Sequence, residues 1–571
     1  MVKGRKLWPF KWQLPLLCVA MCIHSFGAFA AAPPALSNEA LRQQQQQQLD
    51  FLQLQMEQRQ RQLDRGAFGA GKASGALIDS VLQDGHCWSV QGVHIGGVSL
   101  LDLQALQEQV KPLIRRCMGV EQINHLLRKI TQMYVDAGYI ASRPYLSRSP
   151  ENGKSLDILV EEGFIESIEL ADQSLPISLR GAFPGMLGKP LNLRDLEQGL
   201  DQLNRLRSLD MTADIAPGQL QGGSRIIVRS RGTASRLSLS LGEDNLGSPT
   251  SGRDRSSLSV GLDSPLELND SLTFGASDTL NRGDRFSRSR SLFYSVPYGY
   301  WTFSTFASRS EYSVPVRLAT MTVDSEGRTD VLSLRSDRVL WRGQQHQLSA
   351  NLQLSHKRVD NFFYNERLAI QSPTLTVAEA GLNVFWLDRA TWNLDLSYAQ
   401  GLTWFGADRD GQRLLDDMPR PQFRKLRASI SQWRNGLIVD HPWRWNSQLS
   451  LQYSPDPLPA IEQVLLTDDS AVRGFQRNSL SGASAAIWRN TLGLPVQTEQ
   501  PVRVLPHIGM DLGWVKYDHG VPPQSLSGAS LGVDLGWRTL QVGLDYQHSL
   551  HTPKYFLAES DLWLMRMTLS F

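Results

Sequence analysis

The sequence predicts a mostly β fold: a transmembrane β-barrel of sixteen antiparallel strands, preceded by an α-helix and two small α/β domains. Three observations carry this prediction. From residue 232 to 571, apolar and polar side chains alternate in segments of about ten residues, the pattern of strands with one face in lipid. Between residues 81 and 231, helical and strand periods alternate in two short units. The N-terminus reads as an export signal.

The signal comes first in the chain. Lys3, Arg5, Lys6 and Lys11 precede an apolar run from Leu14 to Ile23, and small residues end at Ala28-Phe29-Ala30. That order is a secretory signal peptide over 1–30. A membrane anchor is the rival, but the run falls short of the roughly 20 apolar residues that span a bilayer. The 571 residues carry 58 Lys and Arg, 56 Asp and Glu, and four Cys, with a net charge of +2. Removing the signal takes away four positive charges and leaves −2, which is no footprint for nucleic acid. Cys18 and Cys22 leave with it, so Cys87 and Cys117 remain. Mean hydropathy is −0.27, and no later run approaches the length of a membrane helix.

Residues 31–65 hold the helix. Asn38 offers a cap, Gln43 to Gln48 are unbroken, and Leu41, Leu49, Leu52, Met56 and Leu63 form a thin apolar stripe. A helix so polar is wet on most sides and suits solvent, a coiled-coil partner or a water-filled lumen. Residues 66–80 follow as a flexible linker, rich in Gly and Ala. Gly66, Gly71 and Lys72 nearly spell a phosphate-binding loop, but Ala73 stands where Ser or Thr is needed and no strand precedes it.

Residues 81–163 form the first unit. Trp88-Ser89-Val90 opens a strand, and Leu103, Leu106 and Val110 line a helix. Ile123, Leu126, Leu127, Ile130 and Tyr134 line a second helix, which Gly138 ends. Strands are expected at Tyr139-Ile140-Ala141 and Leu156–Val160. The second unit, 164–231, repeats the theme. A strand runs from Phe164 to Leu170, and Leu193, Leu196, Leu200, Leu203 and Leu206 mark a helix. Ala213–Ile215 and Arg225–Val228 close as strands.

The barrel spans 232–571. Leu237, Leu239 and Leu241 alternate with Arg236, Ser238 and Ser240. Leu531, Val533, Leu535 and Trp537 alternate with Gly532, Asp534 and Gly536, and after Arg538-Thr539 the phase shifts to Leu540, Val542, Leu544 and Tyr546. The last strand sets Trp563, Met565, Met567, Leu569 and Phe571 on one face. In lipid a sheet must close to pair every backbone group, so the barrel is preferred to a soluble sandwich. Sixteen strands at about 21 residues each fill the segment, given the 9–11 residues that cross a bilayer.

Chemical motifs are weak. Gly528-Ala529-Ser530-Leu531-Gly532 matches the nucleophile elbow, but a strand follows rather than the helix the elbow requires. His548 and His551 have no third ligand partner, so no metal or other cofactor is expected, and no catalytic residues are assigned. The chain is not expected to be an enzyme.

Val472-Arg473-Gly474-Phe475 stands apart, in a polar stretch of the barrel around 464–484. With it, Tyr134–Arg143, Leu159–Gly163, Leu191–Gly199 and Tyr294–Gly299 resemble, nearly end to end, the TpsB transporters of two-partner secretion, a family of outer-membrane barrels bearing POTRA domains. The resemblance makes 81–163 and 164–231 the two POTRA domains, 31–65 a plug helix and 464–484 an inward-folded loop. It pairs Arg473 with a wall Asp in a motif like F-x-D-x-G, matched here by Asp511 and Gly513, with Gly509 where Phe is usual. A guanidinium in a barrel needs a carboxylate that fits its planar fork. Cys87 and Cys117 become a disulfide closing about 30 residues, worth ~3–4 kcal/mol on the chain-entropy model; two free thiols are the alternative. Phe571 becomes the barrel's C-terminal signal, read by the barrel assembly machinery.

The function so implied is an outer-membrane translocator in a Gram-negative bacterium, with its POTRA domains in the periplasm. Its partner would be a large secreted protein of the TpsA type: a haemolysin, an adhesin or a contact-dependent inhibition toxin. The client would pass unfolded through the barrel, in contact with neither nucleotide nor nucleic acid, while lipid surrounds the barrel. An outer-membrane assembly factor and a passive porin are the alternatives, and a helix lying free in the periplasm is the alternative to a plug.

Overall fold

A computed structural model describes residues 87–571 apart from 281–282, 284, 318–320, 344, 412–417, 497–500 and 518–521, together with Arg42, Gln45 and Gln46. The export signal 1–30, the linker 66–80 and Asn38, Leu41, Leu49, Leu52, Met56 and Leu63 of the expected helix lie outside the described residues.

The first module is a four-stranded sheet with two helices. In spatial order its strands are Cys117–Gly119, Cys87–Gly96, Lys154–Glu161 and Arg143–Leu146. The central pair is parallel and the outer pairs are antiparallel. Asp102 caps the helix Leu103–Val110 by accepting from the Gln104 amide at 2.9 Å. The helix Val120–Asp136 buries Ile123, Leu126, Ile130 and Tyr134 at the expected spacing. Cys87 and Cys117 are bonded, their Cα atoms 5.4 Å apart on adjacent strands.

One expected strand is a turn. Tyr139–Ala141 follows Gly138, whose φ of +96° reverses the chain. The Tyr139 amide donates back to Tyr134 O at 2.8 Å and the Ile140 amide to Gly138 O at 3.1 Å. With those donors committed locally, pairing begins later, at Arg143. The short strand Cys117–Gly119 was not expected, because three residues carry no readable period.

The second module places Gly223–Thr233 between Phe164–Leu170, which runs parallel to it, and Leu209–Pro217, which runs antiparallel. Its helix Leu193–Asn204 is capped by Asn192 and buries Leu196, Leu200 and Leu203 against this sheet. The polar side of the same helix is buried too. Gln198 and Gln202 donate to Gly299 O at 3.2 and 2.8 Å, and Asp201 pairs with Arg342 at 2.6 Å. Gly299 turns the hairpin between Phe286–Tyr298 and Trp301–Arg317 at φ +56°, and its amide donates to Gly181 O. The second module is thus docked on a barrel turn through hydrogen bonds and ions.

Sixteen long antiparallel strands close the barrel, with a two-residue piece, Glu366–Arg367, between two of them. Alternation is plain in Val502–Lys516. Ile508, Met510, Leu512 and Trp514 are exposed, while Gly509, Asp511, Gly513 and Val515 are buried. The phase change at Arg538-Thr539 is a two-residue turn with Arg538 at φ +50°. Leu237–Asp244 pairs with Leu562–Ser570 to complete the ring. Phe571 lies just past that last strand, and its backbone still exchanges bonds with Leu239 at 2.8 and 3.1 Å. Among the described residues no helix is long and apolar enough to cross a membrane.

Candidate functional site

A long loop joins His441–Tyr453 to Ser484–Gly493 and turns back onto the inner wall. Its neck is a small hairpin of Val464–Leu465 with Ser481–Gly482. Gly482 fits there because a Cβ would stand 2.6 Å from the Lys516 carbonyl. Below the neck, Glu462 is buried and meets Lys357 at 2.5 Å and Lys425 at 2.7 Å, one from each of two wall strands. Gln452 adds bonds to Glu462 O and Ala483 O, both 3.1 Å. Two ammonium groups on one carboxylate offset the cost of burying it.

The tip carries Val472–Phe475. Val472 and Phe475 are buried among Leu466, Ala485, Ile487, Val515 and Leu526, so the apolar part of the motif fastens it by packing. Arg473 lies across three wall strands. Its Nε and Nη2 each reach Asp511 at 2.6 Å, on separate oxygens, and its own amide donates to Asp511 at 3.1 Å. Nη1 donates to Ser530 Oγ at 2.9 Å, and Nη2 also to Asn490 O at 2.9 Å. Asp511 is fully buried. This is the bidentate fork that guanidinium and carboxylate form best.

Glycines make the space. A Cβ on Gly509 would run into the Arg473 guanidinium, and one on Gly528 into the Arg473 carbonyl. Gly513 lies under Val472 and Leu466, and Gly474 takes φ +91° against the His548 backbone while its amide donates to Gln547 at 2.9 Å. The sequence paired Arg473 with Asp511 by resemblance, and the structure brings the two together. It missed Gly509, Gly528, Ser530 and Gln547. The first had looked like a departure from pattern and the next two like a poor nucleophile elbow. For the two glycines and Ser530 the signal is small residues at inward positions, where Gly528 pairs with Asp511 and Ser530 with Gly509 in register.

The helix contributes three described residues. Arg42 donates to Gln476 O at 3.2 Å and Asn478 O at 3.3 Å. Gln45 exchanges bonds with the Leu465 backbone at 3.1 and 3.2 Å, and Arg255 of the wall donates to Gln46 at 2.5 Å. Arg42 and Gln45 therefore bond to the loop, and Gln46 to the wall. No cluster of three metal-ligating groups occurs among the described residues.

Comparison with known proteins follows this geometry. Residues 222–535 match the model of haemolysin secretion/activation proteins ShlB/FhaC/HecB. Residues 88–163 match a ShlB-type POTRA domain and 164–217 a further POTRA domain. The chain is 34% identical to the hemolysin transporter protein HpmB of Proteus mirabilis, over 94% of each chain. It is 38% identical to the hemolysin transporter protein ShlB of Serratia marcescens, over 82% of this chain and 81% of that one. The solved structure of CdiB from Escherichia coli superposes with a TM-score of 0.85 at 28% identity, covering 95% of this chain and all of the other.

Proposed function

The chain belongs to the ShlB/FhaC/HecB family and is an outer-membrane transporter of two-partner secretion; on that premise we propose that its client is a large haemolysin-type protein, threaded unfolded through the barrel without nucleotide. Over the stretches that align, the transporters named for haemolysins are 34% and 38% identical to it, against 30% for the CdiB transporter of Escherichia coli, which favours a haemolysin over an inhibition toxin.

Physical constraints supply the mechanism. No ATP is available outside the inner membrane, so folding of the client on the far side makes export irreversible. An extended client adds to a free sheet edge through main-chain hydrogen bonds. Leu209–Pro217 is an outer strand of the second sheet; the Asn204 side chain already bonds the Met211 backbone, so the edge it offers lies beyond Met211. Arg143–Leu146 is an outer strand of the first sheet and carries exposed Tyr145. Lipid surrounds the apolar belt of the barrel, and Phe571 is the signal read by the barrel assembly machinery.

The observation that carries the reading is Arg473 on Asp511. The pair holds an inward loop where a client must pass, and Arg42 and Gln45 of the plug helix bond to the same loop. Passage requires both to yield. The test is secretion of a haemolysin-type client by cells carrying Arg473→Ala. Export should fall while the barrel still folds and inserts, and wild-type export would sink the gating role.

A further inference from the structure

The closing seam of the barrel is the shortest ladder between its long strands. Leu562–Ser570 and Leu237–Asp244 share five residue pairs, from Arg566 with Asp244 to Ser570 with Ser240, while every other ladder between long strands has at least eight. Backbone bonds between Leu239 and Phe571 at one end, and from the Asn245 amide to Met565 O at the other, extend the pairing by one residue each way, and it remains short.

Three consecutive loop residues make up the difference. Gln476 Nε2 donates to Asn245 O at 3.3 Å and Gly247 O at 2.8 Å, both just past the first strand. Asn478 donates from its backbone and side-chain amides to Glu559, at 2.7 and 2.6 Å, and exchanges bonds with the Leu557 backbone, just before the last strand. The Arg477 amide also reaches Glu559, at 3.2 Å. Asn245 itself bonds across to Trp563 O at 2.9 Å and to the Met565 amide at 2.7 Å. One end of the loop tip therefore holds both sides of the seam, at the edge where the ladder stops. Arg42 in turn donates to the carbonyls of Gln476 and Asn478.

We propose that residues 476–478 form a latch that fastens the barrel seam from inside, and that Arg42 of the N-terminal helix holds the latch shut. Withdrawal of the helix frees the two carbonyls, loosens the latch and lowers the cost of opening the seam. Plug, loop and seam then act as one unit. The proposal concerns the barrel at rest and is independent of which client is carried.

Hydrogen exchange on the full-length transporter in lipid nanodiscs tests it, without any client. Gln476→Ala and Glu559→Gln should each raise exchange in 239–245 and 562–570 by about tenfold or more, the effect of losing one or two bonds at a charged or buried group. The ladder containing Val502–Lys516 should be unchanged, which also reports that the barrel is folded. Arg42→Ala should raise exchange in the same two segments. A disulfide from Ser240→Cys with Ser570→Cys, whose hydroxyls are 3.4 Å apart, should restore protection in each variant. Seam exchange at the wild-type rate in both latch variants would overturn the latch. A rise in those two but none with Arg42→Ala would overturn the role of the helix.

Discussion

Asp511→Asn is the sharpest perturbation of the loop, because it removes a charge and leaves the shape. In the wild-type chain the carboxylate accepts three bonds from Arg473, two at 2.6 Å and one at 3.1 Å, and Arg489 lies 3.7 Å away. All of this is shielded from water, since Asp511 is 0% exposed and Arg473 5%. Neutralising one member of a buried pair costs ~3–5 kcal/mol, mostly because the other charge is left uncompensated. Ser530, Thr491 and the Asn490 carbonyl still serve Arg473, so the low end applies. At 1.4 kcal/mol per tenfold, the open-loop population should rise by about 10² or somewhat more. Exchange of amides in 466–480 reads that population directly. Arg473→Ala should raise it comparably, and the double variant by no more than either single one, because the charge pair is already gone. Loop exchange at the wild-type rate in Asp511→Asn would refute the reasoning. So would a double variant whose effect is the product of the two singles, since the pair would then not be coupled.

Gly509→Ala should act like a partial loss of the pair, because the added methyl occupies the guanidinium's place. Loop exchange should increase and client secretion fall, whereas Gly232→Ala, which meets open space, should leave both unchanged. Reducing the Cys87–Cys117 bond should destabilise the first module by ~3–4 kcal/mol for a separation of 30 residues, seen as a lower urea midpoint for exchange in 88–163. A midpoint unmoved by reductant would show that the bond adds no stability. Docking of the second module should depend on pH through Asp201. Burial raises its pKa to about 6, and Arg342, which pulls it down, does not offset this. The folded interface therefore holds a proton that the unfolded chain has lost, so its stabilising effect is full below the ordinary carboxylate value. It is lost as pH rises through about 6. Protection of the Gly299–Trp301 turn should fall across that window, and Asp201→Asn should flatten the profile.

Much of the fold was legible because it is local. Each strand of the wall shows its lipid face at every second residue, as Ile508, Met510, Leu512 and Trp514 do, so the period is a property of the backbone alone. The helices at Leu193–Asn204 and Val120–Asp136 were legible through the 3.6 period of their buried Leu and Ile. Tyr139–Ala141 reads as a strand by composition alone, but composition does not reveal where the backbone donors go, and here the Tyr139 amide returns to the preceding helix and the Ile140 amide to Gly138.

The site divides the same way. The sequence determined that Arg473 sits between Val472 and Gly474-Phe475, a cation flanked by groups that pack and turn. Resemblance, not physics, supplied Asp511. From the chain alone Asp511 is one acid among 56 Asp and Glu, and nothing local separates it from the rest. Only closure of the barrel decided that Gly509, Asp511, Gly528 and Ser530 share a patch of inner wall, because register between strands sets which inward positions meet. Closure likewise decided that Gln476 and Asn478 stand over a seam whose two strands lie more than 300 residues apart in sequence. Periodicity fixes which way a residue points, and the tertiary fold fixes what it points at.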